Sequence, residues 1–319
     1  MKKVKARHGL LFRKIIALGR VIKKKPKIYN LNDEEVLEHS IIISNHSAAS
    51  GPLTLSLFFP KFFVPWGTHE MTENYVNRWK YLYHIFYQQK IGYGKVKAFI
   101  LATLFAIISK LLYNGMQLIP TYTDLRFKQT IESSLNHLEK NNSILVFPED
   151  SAFGYHEKLT KYNAGFVYLS EKYYQKHGID LPIYPIYYHK VLGSLIIGKK
   201  EYIKPLLDKG MNRYEIANYF KDLTNELADK LFSLERSKEG YSERKIFKGR
   251  LLNKLKNIRE KHLDLSLSDF KISQKEESDY MLLKTRKQIM KDLMGKNDLI
   301  LAESTGEQNI NLKIRYFRR

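Results

Sequence analysis

IIISNHSAASGP, residues 41–52, runs three isoleucines into a small-residue loop that opens with a histidine. An unbroken apolar run closed by Ser44 and Asn45 predicts a strand over residues 40–44, buried on both faces and ending where His46 begins a turn. The same grammar recurs downstream. Residues 116–119 predict a second strand, Ile131, Leu135 and Leu138 mark one face of a helix, Asn141-Asn142 turn the chain, and residues 144–147 make a third strand. Residues 163–175 have helical character, and residues 181–187 give a further strand. Strands alternating with helices predict an α/β fold with a mostly parallel central sheet flanked by helices.

Composition narrows the class of protein. A chain of 319 residues with 44% hydrophobic content has ample material for a core. It contains no cysteine, which excludes a disulfide framework, a thiolate zinc site and a cysteine nucleophile, and fits a cytosolic setting. Lys+Arg 54 against Asp+Glu 33 leaves a formal charge of +21, more than solubility requires, and predicts an anionic partner. An acidic lipid surface, an acidic carrier protein, a phosphorylated substrate and nucleic acid all satisfy that charge. No recognisable RNA or DNA motif supports the last of these.

The basic start, residues 1–27, has neither an uninterrupted apolar core nor a cleavage site of the kind a secretory signal needs. Leu11, Ile15, Leu18 and Ile22 recur at helical spacing, with Arg13, Lys14 and Arg20 on the other side, which predicts a basic amphipathic helix. Such a helix suits the interface of an anionic membrane, and it equally suits packing on its own domain. Between the first two predicted strands lies an aromatic insertion, residues 52–115. Its opening PLTLSLFFPKFFVPW reads as a lipid-facing wall. AFILATLFAIIS, residues 98–109, is interrupted by Lys110 after about a dozen residues, short of the ~20 a spanning helix needs, and predicts a buried or half-embedded helix. Residues 28–231 thus form the α/β domain. Residues 232–319 form a basic helical extension, with helical patterns at 247–261 and 276–293 before a tail ending YFRR.

Three strand-end segments carry polar residues suited to chemistry: SNHSAASGP (44–52), LVFPEDSAFG (145–154) and LPIYPIYY (181–188). Parallel strands gather their ends at one sheet edge, so His46, Ser47, Ser50, Glu149, Asp150 and Ser151 are expected together there. In order and spacing the segments resemble the glycerolipid acyltransferase family that includes 1-acylglycerol-3-phosphate acyltransferases. That family ends a strand in NHxxxxD, matched by Asn45-His46. It carries FPEG followed by a Lys–Gly helix start, matched by Phe147-Pro148-Glu149 with Lys161 and Gly165. A Pro-containing strand follows, matched around Pro182 and Pro185, and IIGKKEYIKP is similar to its closing strand. The resemblance covers roughly residues 10–231.

It implies transfer of an acyl group to a lysophosphatidate-like acceptor by a peripheral enzyme on the cytoplasmic face of a membrane. The donor would be acyl carrier protein, acyl-CoA or acyl phosphate, with no cofactor. His46 would be the general base, assisted by Glu149 and Asp150. Asn45, Ser47, Ser50, Phe147, Pro148, Ser151, Lys161 and Gly165 would shape the acceptor site.

The chain departs from the family at three positions. The motif acid falls on Gly51, the glycine of FPEG is Asp150, and the arginine that closes the family's second motif falls on Thr121, leaving Arg126 as its nearest replacement. Either Glu149, Asp150 or Glu70 of GTHEM supplies the missing acid, or the fold is kept for lipid binding with its chemistry impaired. His69-Glu70 has no metal-ligand spacing and the remaining histidines form no His-x-x-x-His pair, so no metal is expected.

Overall fold

Ile41, Ile42 and Ile43 are buried to 1% exposure or less in the middle strand of a seven-stranded sheet. The computed structural model describes residues 8–47, 50–90, 93–150, 158–237, 299–305 and 311–317. The strands are β1 (Lys27–Asn30), β2 (Ile41–Ser44), β3 (Phe63–Thr68), β4 (Ile119–Thr121), β5 (Ser143–Val146), β6 (Ile183–His189) and β7 (Ser194–Ile197). Their order across the sheet is β1-β7-β6-β2-β5-β3-β4. β2 pairs in parallel with β5 and with β6, β5 with β3, and β3 with β4, while β7 runs antiparallel to β6 and carries β1 parallel to itself. The C-terminal ends of β2, β3, β4, β5 and β6 therefore share one edge. The α/β fold with mostly parallel strands is as the sequence predicts.

Strand alternation distributes the core between two helical layers. Ile41, Ile43, Ile144 and Val146 face α5 (Phe127–Leu138), α6 (Gly165–His177) and α8 (Arg213–Arg236). Ile42, Leu145, Tyr184 and Ile186 face Leu55 of α2 (Ser50–Phe58) and Phe59 just beyond it. Each fully buried large apolar side chain contributes ~1.5–3 kcal/mol, so a strand covered on both faces is the most strongly held part of the sheet.

The segment PLTLSLFFPKFFVPW turns out to be core. It divides into α2 and β3, and Leu55, Leu57, Phe59, Phe63, Val64 and Trp66 are buried. It is not a lipid-facing wall, because β3 lies between β5 and β4 and needs cover on both sides. The strand expected at 116–119 starts instead at Ile119. Met116 ends the preceding helix, and Gln117 caps it in the left-handed region at φ 59.

That helix, α4 (Lys95–Met116), follows α3 (Tyr75–Lys80) and a wide-turned π helix (Tyr81–Lys90), and it is not stopped by Lys110. At 22 residues it is long and apolar enough to cross a membrane by length and composition. Its burial is inside out. Ala98, Ala102, Ala106 and Ser109 are buried, whereas Val96, Phe99, Ile100, Leu104, Ile107, Ile108 and Leu111 are exposed.

α1 (Leu10–Ile22) is similar: Phe12 and Ile16 pack on Leu57, Leu112 and Met116, while Leu11, Leu18 and Ile22 of the predicted stripe are exposed with Leu10 and Val21. Gly19 lies where a Cβ would meet Leu57 at 2.7 Å, so α1 and α2 touch more closely than side chains on both would allow.

α7 (Lys204–Asp208) leads into α8, which continues to Arg236. The chain divides into two compact units, residues 1–151 with 157–239, and residues 152–156 with 240–319. The predicted helices at 247–261 and 276–293 lie outside the described residues. Beyond them, β8 (Leu299–Thr305) and β9 (Asn311–Phe317) pair antiparallel, so the tail carries a hairpin rather than helix alone.

His137 in α5 offers a test of the packing. Burial, reinforced by Lys140, pushes its imidazole down to about 4 from an ordinary 6.5. The unfolded chain takes up this proton at higher pH than the folded one, so the contribution of neutral His137 is present above pH ~6.5 and is lost as pH falls toward 4. Urea unfolding between pH 7 and 4.5 is expected to show falling stability with a shallower slope in His137→Gln; equal slopes would contradict the assignment.

Candidate active site

Asn45 ends β2 by replacing a backbone pairing with a side-chain one. Its Nδ2 donates to the Tyr188 carbonyl at 3.0 Å, and its Oδ1 accepts the Tyr188 N–H at 2.8 Å. Asn45 is 3% exposed, and the two hydrogen bonds tie the end of β2 to the end of β6. The residue expected to touch substrate is therefore the clamp that directs the chain out of the sheet. His46 follows at once, and Ser47 turns the backbone at φ 46, inside the left-handed region that few side chains favour. Ala48 and Ala49 lie outside the described residues, as does Ser151.

The third segment meets the first through Glu149. This carboxylate is 8% exposed, and its Oε2 accepts the His46 backbone N–H at 3.1 Å. The Phe147 ring lies 4.9 Å from the His46 imidazole, tilted by 57°. Of the three acids expected to substitute for the motif aspartate, Glu149 is bonded to the backbone N–H of His46, a contact that places the turn rather than the imidazole. Asp150 pairs with Lys161 at 3.2 Å, and Glu70 with His69 at 3.3 Å. Glu70 sits beyond β3, two strands from β2 or about 10 Å across the sheet.

Gly51 is a requirement of this turn. A Cβ there would lie 2.3 Å from the His46 carbonyl oxygen and 3.2 Å from that of Asn45. Ser50 N–H closes on the Ser47 carbonyl at 3.3 Å, and Ser50 Oγ lies 3.2 Å from Tyr188 Oη. The first turn of α2 is thus pressed against the strand end so closely that no side chain fits where the family places its acid.

The rest of the third segment is built on backbone pairing. Asp150 N–H bonds the Lys161 carbonyl and Asn163 N–H the Pro148 carbonyl, joining 148–150 to 161–163 in antiparallel sense. Asn225 of α8 grips Leu159 just ahead of this ladder: its Oδ1 accepts the Leu159 N–H and its Nδ2 donates to the Leu159 carbonyl. Gly165 opens α6 with its Cα facing Phe127 and Trp66, where a Cβ would come within 3.0 and 3.2 Å. Arg126 stands beyond β4, three strands from β2, with its guanidinium on both Asp124 oxygens and over the Tyr122 ring. That pairing holds Asp124 down at about 2. His69 stacks on the same Tyr122 ring, with Glu70 and Glu73 at its two nitrogens. Among the described residues, no cluster of three or more His, Asp or Glu side chains is placed to hold a metal ion.

Lys23, Tyr188 and Lys190 were not singled out by sequence. Lys23 Nζ donates to Thr54 Oγ1 at 2.6 Å and lies 3.4 Å from the Ser50 carbonyl. Burial, and secondarily the charge of Lys190, pushes this ammonium down. The one sequence signal that could have found it is the position of Lys23 directly after the last apolar turn of α1.

Comparison of the sequence with protein-family models finds no match, and comparison with curated proteins finds none. Among solved structures, the 1-acyl-sn-glycerophosphate (LPA) acyltransferase from Thermotoga maritima is similar at 11% identity with a TM-score of 0.44, over 72% of this chain and 82% of that chain.

The tight turn predicts the outcome of restoring a side chain. Gly51→Ala is expected to lower stability by ~1–3 kcal/mol, the usual cost of overpacking, and Gly51→Asp by at least as much. Chemical denaturation measures both, and a Gly51→Asp protein as stable as wild type would contradict the close approach.

Proposed function

We propose that this protein transfers a fatty acyl group to a glycerolipid acceptor of the lysophosphatidate kind, working peripherally on the cytoplasmic face of a membrane. The observation that carries the proposal is the bond between His46 N–H and Glu149. It joins Asn45-His46 to Phe147-Pro148-Glu149, segments about a hundred residues apart that resemble one family's site motifs, at a shared parallel-sheet edge. In the proposed reaction a ring nitrogen of His46 takes the proton of the acceptor hydroxyl as its oxygen attacks the donor carbonyl. The tetrahedral oxyanion then collapses, the new ester forms, and the thiolate or phosphate of the donor leaves and takes up the proton held by His46. Acyl carrier protein, acyl-CoA and acyl phosphate all fit this balance, and the acidity of a carrier protein suits a chain of charge +21. Base catalysis of this kind contributes ~10²–10⁴-fold.

The inside-out helices support a lipid surface as the place of work. Large apolar side chains outside, small ones inside and lysines and arginines around them are the pattern of an element that lies in an apolar medium. Gly51 favours a second reading, a lipid-binding protein of impaired chemistry, because the family's acid has no room at its own position.

Acyl transfer to lysophosphatidate on phosphatidylglycerol vesicles, tried with each donor class, separates the two. The expected result is activity in wild type and a loss of ~10²-fold or more in His46→Ala, with vesicle binding unchanged. Equal rates in the two proteins, or none in either, would remove the catalytic proposal. Leu104→Glu with Ile107→Glu is expected to weaken vesicle binding by about tenfold or more in a sedimentation assay, since two exposed leucine-sized contacts with lipid are lost. Unchanged partitioning would show that α4 does not meet lipid.

A further inference from the structure

Two cations that the family resemblance places at the acceptor site are already engaged, Arg126 by Asp124 and Lys161 by Asp150. Two others stand on either side of Tyr188, the residue that Asn45 clamps at the edge where the His46 turn begins. Lys190 is exposed immediately after β6, two residues beyond Tyr188. Lys23 is the C-cap of α1, partly buried, with Nζ on Thr54 Oγ1 and the Tyr188 ring 6.0 Å away. Neither lysine pairs with a carboxylate among the described residues, and the charge of Lys190 adds to burial in pushing the Lys23 ammonium down. Like charges brought together without an acid between them are held at a cost that a bound anion removes.

We infer that Lys23 and Lys190, with the hydroxyls of Ser50 and Tyr188 beside them, bind a phosphate monoester of the acceptor. The inference rests on the acyltransferase reading for the identity of the ligand, and on two lysines without a carboxylate partner for the site. Ser50 and Tyr188 hydroxyls lie 3.2 Å apart, so each has a further hydrogen-bonding direction to offer. Phosphate held here stands at the turn that carries His46, since Ser50 closes that turn onto Ser47. Lys23 also ends the helix whose outer side presents Leu18, Val21 and Ile22. A lysolipid with its tail along that side brings its headgroup to Lys23.

The test uses the full chain and its Lys23→Gln, Lys190→Gln and Lys190→Arg variants, each checked for folding by thermal melting. Affinity is measured for soluble sn-glycerol 3-phosphate by calorimetry, and for phosphatidylcholine vesicles with and without lysophosphatidate by sedimentation. Either glutamine variant is expected to weaken phosphate-monoester binding by about tenfold or more, the worth of one charge-assisted hydrogen bond, with Lys190→Arg retaining it. Loss with both probes assigns recognition to the phosphate itself, and loss with the vesicles alone assigns it to the lipid headgroup; both support the site, whether or not acyl transfer is detected. Unchanged affinity in both glutamine variants overturns it, even alongside His46-dependent transfer. An equal loss on vesicles lacking lysophosphatidate also overturns it, because the lysines then act as general surface charge. Lys190 is exposed, so Lys190→Gln carries the test if Lys23→Gln fails to fold.

Discussion

The pair of hydrogen bonds from Asn45 to Tyr188 is the constraint on which the site depends. A parallel strand that simply continued would keep its side chains in the two core layers. By giving Tyr188 a side-chain partner in place of a backbone one, Asn45 ends the ladder at a fixed point and releases His46 toward the loops. Both bonds are buried, and leaving such groups unpaired costs ~1–3 kcal/mol each, so the exit point is firmly set. Everything near His46 is then registered to β6: Ser50 through the Tyr188 hydroxyl, Gly51 through the His46 carbonyl, and Lys23 through Ser50 and Thr54.

The second organising feature is the layer of α1, α2 and α4. α2 faces the sheet with Leu55, followed by Phe59 just past its end, and is capped from outside by α1, whose Arg20 donates to the carbonyl of Leu57. α1 and α4 meet where Phe12 fills the space beside Gly115, a contact that a Cβ at 115 would bring to 2.6 Å. Small residues at these crossings let helices approach closely and turn their large side chains outward. Within water this arrangement leaves a broad apolar surface uncovered, which globular proteins seldom keep without a use. Its neighbour is the turn carrying His46, so one helical layer joins the apolar surface to the proposed chemistry.

Much of the fold was legible because burial on both faces leaves continuous apolar runs. The isoleucines of β2, residues 144–146 and the strand ending at His189 all declare themselves this way. β3 was not legible: FVPWGT contains a proline and a glycine and adjoins equally aromatic α2, so local pattern could not separate strand from wall. α4 was cut short on paper by Lys110, although a lysine on the exposed side of a helix does not interrupt its hydrogen bonding. For the site, the meeting of His46 with Glu149 followed from strand ends sharing an edge. The roles within it did not. That Asn45 clamps, that Gly51 is sterically required and that Asn225 holds Leu159 are consequences of distances between segments far apart in the chain. The α1 stripe of Leu11, Ile15, Leu18 and Ile22 is apolar, yet the buried contacts of the helix belong to Phe12 and Ile16, because packing selects the face nearest α2.

The central claim is that the turn following β2 delivers His46 to an acceptor hydroxyl. A crystal structure of the protein with lysophosphatidate and a non-transferable thioether analogue of the donor tests it most directly. The acceptor hydroxyl is expected within ~2.6–3.2 Å of a His46 ring nitrogen, at the shared C-terminal edge of β2, β5 and β6. An acceptor bound with its hydroxyl away from His46 would contradict it.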